Sequence, residues 1–336
     1  MNKTLDWRLL KKLYAIHSPS GKEDKMIAFL VSYLKSLPGV KLGKDSYGNL
    51  YAWKGESETY PCIVAHLDQV QRNHPCDFRA IETRDIIFGF SAKEHSICGL
   101  GADDKNGIII CLEAIKKYDC MKVVFFKEEE TGCHGSSRAE MKFFDDCRFV
   151  IQCDRRGNSD LITNIGCSDL CSEKFIQDID PEKWGYKEET GMMTDVEALK
   201  ERGLSVSAIN MSCGYYNPHT DEEITVKRDL EKCWHIVQHI IEDCTETYPH
   251  EVGDNACFGY DEWEIEDEIH SIIQQDPTMT ASDLYDMYQT NFPMLRLEDF
   301  ERIVAEHQLW YDDEEETLTQ TFKLDGKETD KEDFIF

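Results

Sequence analysis

Residues 60–68 read Tyr60-Pro61-Cys62-Ile63-Val64-Ala65-His66-Leu67-Asp68. A continuous apolar run of this length is the mark of a strand buried on both faces, the kind found in parallel sheets. It ends in an imidazole and a carboxylate on alternate positions, so both project from the same side of the strand exit. The construction returns twice. Lys122-Val123-Val124-Phe125-Phe126 runs into Glu128, Glu129 and Glu130, and Phe149-Val150-Ile151-Gln152 runs into Asp154. Open α/β sheets bind ligands in the crevice beyond the carboxyl ends of their strands, where segments distant in sequence converge. The pattern predicts an α/β fold with a central mixed, mostly parallel sheet flanked by helices.

Outward from these strands, Leu5 to Ala15 and Glu23 to Leu34 carry apolar residues at helical spacing, parted by Pro19-Ser20-Gly21. Val40 to Tyr51 reads as a strand pair turning at Tyr47-Gly48-Asn49, where glycine and asparagine tolerate positive φ. Lys105 to Lys117 reads as a helix covering one sheet face, with Asp103 at or just before its N-terminus, where the macrodipole favours negative charge. Farther on, Asp195 to Arg202 is expected as a helix, Leu204 to Ile209 as a strand, and Val226 to Cys244 as a closing helix with Leu230, Trp234, Val237 and Ile241 on one stripe.

These elements define an expected catalytic domain over residues 1–249, followed by an acidic, mainly helical appendage over 250–336. The chain's 336 residues, 41% of them hydrophobic, supply a core for both. Of the net charge of −29, residues 250–336 carry −20, from 5 Lys and Arg against 25 Asp and Glu. Within them Ile265, Ile269, Ile272, Ile273, Leu284, Tyr285, Phe300 and Ile303 suggest a small helical unit, and Asp312-Asp313-Glu314-Glu315-Glu316 reads as a solvated turn. Such a field disfavours nucleic acid and anionic membranes, because phosphate binding depends on Lys and Arg. The first residues lack a signal-peptide pattern and no stretch of about 18 apolar residues occurs, so a cytoplasmic location is expected. The 14 cysteines lie scattered through strands and helices without a Cys-x-x-Cys pair, and read as reduced, mostly buried thiols.

The chemistry lies in five short stretches, which hold His66, Asp103, Glu130, Asp154 and His219. Two imidazoles and three carboxylates suit a pair of divalent ions, whereas thiolate-rich sets suit closed structural zinc. A lone His-x-Asp is an ordinary surface pair; here four matching segments accompany it. Asp68 can accept a hydrogen bond from the second nitrogen of His66 and so set its tautomer. Asp103 is placed between the ions, since a shared carboxylate offsets their repulsion at the ~3.5–4 Å spacing of two-metal sites; Asp104 is the neighbouring alternative. Glu130 is assigned to metal and Glu129 to general base, with Glu128 in solvent, although spacing alone permits a shift of one. The expected partition sets His66 with Asp154 on one ion, Glu130 with His219 on the other, and Asp103 between them. Tyr215 or Tyr216 is a candidate hydroxyl for the tetrahedral oxyanion. His74, His95, His134, His235 and His239 read as surface or core residues, though His134 and Arg156 lie near ligands in sequence.

The motifs Pro19-Ser20-Gly21-Lys22-Glu23, His66/Asp68, Gly99-Leu100-Gly101-Ala102-Asp103-Asp104-Lys105-Asn106-Gly107, Glu129-Glu130-Thr131-Gly132 and His219 resemble those of the peptidase T-like di-zinc exopeptidases. The resemblance covers about residues 5 to 245, and the segment around Asp103 is its most specific part. It implies that His66, Asp103, Glu130, Asp154 and His219 bind two divalent ions, zinc first and cobalt or manganese also suited. It further implies that Asp68 orients His66, that Glu129 is the base, and that short peptides are cleaved from the amino end. Asp154 and His219 are only 65 positions apart, too few for the extra lid domain inserted there in many relatives, so the chain resembles a lidless form. The stretch Gly191 to His219, with Thr194-Asp195, is similar to compact lidless aminopeptidases. The same zinc chemistry also serves amidohydrolases that deacylate N-acyl amino acids, and a non-catalytic partner-binding protein on this fold is a third reading. Nothing in the sequence sets the number of subunits.

Overall fold

Asp6 starts the first helix, its carboxylate accepting the N–H groups of Arg8 and Leu9 at 3.1 and 3.0 Å. The computed structural model describes residues 5–71, 74–166, 168–252, 269, 272–273, 279–288, 296–297 and 300–305. Helices α1 (Trp7–Tyr14) and α2 (Asp24–Lys35) follow the expected apolar spacing and bury Leu9, Leu10, Leu13, Met26, Leu30 and Leu34. The hairpin forms as β1 (Val40–Lys44) and β2 (Leu50–Lys54), antiparallel, with Gly48 at φ 105° in its turn. Asp45 holds that turn by accepting the N–H groups of Tyr47, Gly48 and Asn49.

The remaining strands are β3 (Tyr60–His66), β4 (Arg79–Glu82), β5 (Ile86–Ser91), β6 (Ser96–Cys98), β7 (Met121–Phe126), β8 (Cys147–Arg155), β9 (Asp160–Ile165), β10 (Ser168–Asp169), β11 (Lys187–Gly191), β12 (Ala208–Ser212), β13 (Tyr215–Tyr216) and β14 (Ile224–Val226). Among the described residues they make two sheets. The larger has the order β1-β2-β7-β3-β8-β12-β9-β10, with β11 also on β9. Its centre, β7-β3-β8-β12, is parallel, and both flanks turn antiparallel. This is the mixed sheet that the apolar runs imply.

Burial on both faces explains those runs. Ile63, Ala65, Val123, Phe125, Phe149 and Ile151 pack against α1, α2, the helix α3 (Ala102–Lys117) and the closing helix α6 (Lys227–Asp243), with α4 (Glu173–Ile179) on the same side. Their strand neighbours Cys62, Val64, Val124, Phe126 and Val150 turn to the other face, against Val196 and Leu199 of α5 (Asp195–Glu201). Each Val, Ile or Phe among them, fully withdrawn from water, contributes about 1.5–3 kcal/mol.

Two regions differ from the sequence reading. Residues 69–101, unassigned there, build the second sheet, in which β4, β5 and β6 join β13 and β14 in the order β13-β14-β5-β4 with β6 on β5. Its strands are short and half-solvated, β5 alternating between partly buried and buried, so no long apolar run marks them. The strand expected over Leu204 to Ile209 begins four residues later and ends three later, as β12. Leu204 instead closes α5, its N–H donating to Leu199 O at 3.0 Å, and Val206 makes an isolated bridge with Pro249. Both are buried without belonging to the ladder.

The chain divides into two units, Met1–Tyr260 and Asp261–Phe336. In the second, helix Ala281–Tyr288 starts at Thr280, whose hydroxyl oxygen accepts Asp283 N–H at 3.2 Å. Ile269, Ile273, Leu284, Phe300 and Ile303 are buried. Ile265 and the acidic run Asp312 to Glu316 lie outside the described residues. The described cysteines are free thiols, all but Cys76 and Cys120 buried. Among the described residues no helix is long and apolar enough to cross a membrane.

Candidate active site

Four loops meet beyond the carboxyl ends of β3, β7 and β8. His66 is the last residue of β3, and Asp154 lies one residue before the end of β8. Glu129 and Glu130 follow β7 in a turn where Gly132 and Cys133 donate their N–H groups to Glu129 O, each at 2.8 Å. His219 sits in the loop that joins β13 to β14, at φ 65°, a left-handed conformation rare outside glycine and found at functional sites. Asp103 and Asp104 fall within the bounds of α3, but their backbone is not helical (ψ 108° and 37°), and regular helix begins after them. The peptide bond between the two is cis.

Asp103 is the centre of the arrangement. Its Oδ1 lies 3.0 Å from His66 Nε2 and its Oδ2 lies 3.5 Å from His219 Nε2. Behind each imidazole stands a second carboxylate: Asp154 Oδ1 is 3.5 Å from His66 Nε2, and Glu130 Oε2 is 3.2 Å from His219 Nε2. Glu129 Oε2 is 3.9 Å from His66 Nε2. Among the described residues two sets of side chains have donor atoms close enough to hold a cation: His66, Glu129 and Asp154, and His66, Asp103 and Glu130; His219 is in neither set and joins them through its contacts with Asp103 and Glu130. The structure therefore brings together His66, Asp103, Glu129, Glu130, Asp154 and His219. Asp104 stands apart: its oxygens accept backbone N–H groups of His66 and Gly107.

Asp68 differs in detail from the expectation. The nearest partner of His66 Nδ1 is the backbone carbonyl of Asp68 at 3.1 Å, with the Asp68 carboxylate at 3.4 Å. That carboxylate chiefly accepts the N–H groups of Glu129 and Glu130, at 3.0 and 3.2 Å, and the Ser20 hydroxyl at 2.7 Å. It thus fixes the glutamate turn as well as facing the imidazole. The Pro19-Ser20-Gly21 motif enters the site through this bond.

The electrostatics follow from crowding. Burial, then repulsion from Asp154 and Glu130, raises the Glu129 carboxyl well above the usual range despite the pull of His66. Burial and Asp103 do the same for Asp154. Burial would lower the two imidazoles, yet the surrounding carboxylates outweigh it and raise both His66 and His219. Glu130 Oε1 is buried without a hydrogen-bond partner. An orphaned buried oxygen beside a dense set of carboxylates and imidazoles is the chemistry that divalent cations satisfy, and the residues fit a pair of them.

Several supporting residues escaped the sequence reading. Glu223, fully buried, accepts N–H groups of Gly101 and Asp103, at 2.5 and 3.0 Å, and Gln71 Nε2 at 3.2 Å. It joins the loop that carries His219 to the one that carries Asp103. Lys105 is also buried, its ammonium on Gln69 Oε1. Gln152 and Asn210 surround Asp154. A polar side chain inside an apolar run has no spacing that announces it.

Of the tyrosines, Tyr215 donates its hydroxyl to Asp154 Oδ1 at 3.4 Å, while Tyr216 donates to Asp229 at 2.8 Å. His74 stacks on His17 and Phe78, and His239 pairs with Asp243. The Arg156 and His95 side chains are exposed, and none of His74, His95, His134, His235 and His239 pairs with Asp103, Glu129, Glu130 or Asp154 as His66 and His219 do.

No protein-family model matches the sequence, and comparison with curated proteins finds no match. Solved structures do share the fold. The aminopeptidase PepT from Bacillus cereus aligns with a TM-score of 0.57 at 15% identity, over 71% of this chain and 98% of that one. A tripeptidase from Staphylococcus aureus aligns with 0.57 at 13%, over 71% and 99%. An aminopeptidase from the archaeon Desulfurococcus kamchatkensis aligns with 0.54 at 17%, over 70% and 94%. At such identities the likeness is one of fold, and that fold is the peptidase T-like exopeptidase fold which the motifs resemble.

Proposed function

We propose that this chain is a two-metal hydrolase that cleaves short peptides from their amino end, with His66, Asp103, Glu130, Asp154 and His219 as ligands and Glu129 as general base. One observation carries the reading: the two oxygens of Asp103 face two different histidines, and each histidine has its own second carboxylate. A surface cluster has no reason for this two-sided symmetry; a shared carboxylate between two cations does. His66 with Asp154 would hold one ion and His219 with Glu130 the other.

A bound pair of divalent ions, zinc first and cobalt or manganese also suited, supplies Lewis acidity toward the scissile carbonyl and makes water a nucleophile near neutral pH. Glu129 takes the proton from the attacking water and returns it to the leaving amine, a task suited to a carboxylate that stands 3.9 Å from His66 Nε2 beside the ligand set. Asp68 keeps the backbone of Glu129 and Glu130 in place, so the base and the neighbouring ligand cannot drift independently. The Tyr215 hydroxyl, resting on Asp154, is the tyrosine available to the site. The fold shared with aminopeptidases and a tripeptidase supports peptides as the substrate class.

The test is a screen of dipeptides and tripeptides with free and with blocked amino termini, alongside N-acyl amino acids, run with metal analysis. Hydrolysis of free-amine peptides with about two ions per chain is expected. Cleavage confined to N-acyl amino acids would reassign the chain as a deacylase, and absence of bound metal would remove the mechanism.

A further inference from the structure

Asp154 is surrounded by buried amides. Gln152 and Asn210 are register partners on the parallel strands β8 and β12, so their side chains stand side by side on one face of the sheet. Gln152 Nε2 donates to Asp154 Oδ2 at 3.1 Å and to Asp195 Oδ2 at 3.2 Å. Its Oε1 accepts the Thr194 hydroxyl at 2.7 Å and the Val196 N–H at 3.1 Å. Asn210 takes the backbone on both sides of the same residue: its Oδ1 accepts Asp154 N–H at 2.9 Å and its Nδ2 donates to Asp154 O at 3.0 Å, and to Thr194 Oγ1 at 3.1 Å. Gln152 is wholly buried and Asn210 nearly so.

The amide therefore divides the labour of the two Asp154 oxygens. Oδ2 is occupied by Gln152, while Oδ1 is the one turned to His66 Nε2 at 3.5 Å. An amide suits this place because it donates to two carboxylates and accepts from Thr194 and Val196 at once. A carboxylate at position 152 would stand between Asp154 and Asp195, and an apolar side chain would leave both buried oxygens without their N–H.

We propose that Gln152 is a positioning residue that aims Asp154 Oδ1 at the cation shared with His66, braced by Thr194 and by Asn210. The inference rests on the reading of Asp154 as a ligand. It predicts a selective defect: the His66 and Asp154 ion weakens, and the His219 and Glu130 ion does not, because the hydrogen bonds of the Gln152 side chain go to Asp154, Asp195, Thr194 and Val196 and to neither of those two.

The experiment titrates metal-stripped full-length chain with Co²⁺, reading each affinity from calorimetry and the visible cobalt spectrum, in wild type and the Q152L, T194V and D154N variants. Wild type should take up two ions. Q152L should weaken one of them roughly 10–100-fold, the scale for losing a hydrogen bond behind a metal ligand. T194V, which keeps the volume but removes the hydroxyl that donates to Gln152 and accepts from Asn210, leaves the bond from Gln152 to Asp154 in place and should move the same ion the same way by less. If D154N weakens one ion and Q152L and T194V leave both unchanged, or weaken both alike, the inference is overturned while the site stands. If D154N also leaves both ions unchanged, the ligand assignment and the inference fall together. Should Q152L fail to fold, T194V decides by the same criterion.

Discussion

Glu129 and Glu130 are neighbours in sequence and face different histidines, Glu129 standing 3.9 Å from His66 and Glu130 3.2 Å from His219. The turn that makes this possible is held at both N–H groups by Asp68. Glu129→Gln should leave metal content near wild type and lower turnover by ~10²-fold or more, as expected when a general base loses its proton affinity. Metal analysis with steady-state kinetics measures both, and unchanged turnover would remove Glu129 from the mechanism. Glu223 makes a contrasting case, because it holds the backbone of the shared residue Asp103 rather than one half of the site. Glu223→Gln turns an N–H toward an N–H at Gly101 or Asp103, so it should weaken both ions together, which cobalt titration will separate from a one-ion defect. His66, Glu129, Glu130 and Asp154 were legible in sequence because each stands at the end of an apolar run, and Asp103 because it lies inside the Gly99 to Gly107 motif; His219 has neither signal and was legible only through the motif resemblance. Glu223, Gln152 and Asn210 were not, since each takes its place through at least one partner distant in sequence, 152, 43 and 56 positions away respectively.

At the scale of elements, β3, β7 and β8 were readable because burial on both faces leaves no polar alternation to confuse with a helix edge. The second sheet lacked that signal, and it matters, since β13 and β14 are the strands that carry the His219 loop. Where motif and element meet, Gly101 is the critical joint. It adopts φ 64°, and a Cβ there would come within 2.7 Å of Lys105 Nζ and 2.9 Å of the Gln69 amide. The backbone conformation disfavours a side chain, and the ends of Lys105 and Gln69 would have to move to admit one. Gly101→Ala should therefore cost about 1 kcal/mol or more from the backbone alone, with the displacement of Lys105 added. Urea unfolding measures the cost, and an unchanged midpoint would show that the loop adapts freely. Because Gly101 also donates to Glu223, the variant should bind metal less tightly as well.

For the whole molecule, the acidic segment marked a second unit in sequence, but the composition step says nothing of where the first unit's packing ends. Residues up to His250 still bind the body of the first unit: Ser207 donates to Tyr248 O, and His250 N–H donates to Ser205 O. Lys200, nearly wholly buried in α5, donates to the carbonyls of Val206 and His250 and meets His250 Nδ1 at 3.0 Å. Burial first, and the Lys200 ammonium second, push His250 from its ordinary 6.5 down to about 4. The unfolded chain then binds the proton more readily than the folded one, so this histidine's contribution is fully present above pH 6.5 and is lost as pH falls toward 4. His250→Asn should reduce the drop in urea midpoint between pH 7 and pH 4.5 relative to wild type, and an identical drop would remove His250 as a source of acid sensitivity. The same contacts rank two truncations. A chain ending at residue 249 strips Lys200 of two partners and leaves a buried ammonium short of acceptors, whereas one ending at residue 260 keeps them. The longer chain should therefore bind metal as the full protein does, with an unfolding midpoint above that of the shorter one at pH 7. Equal midpoints would mean that Lys200 finds compensation elsewhere in α5.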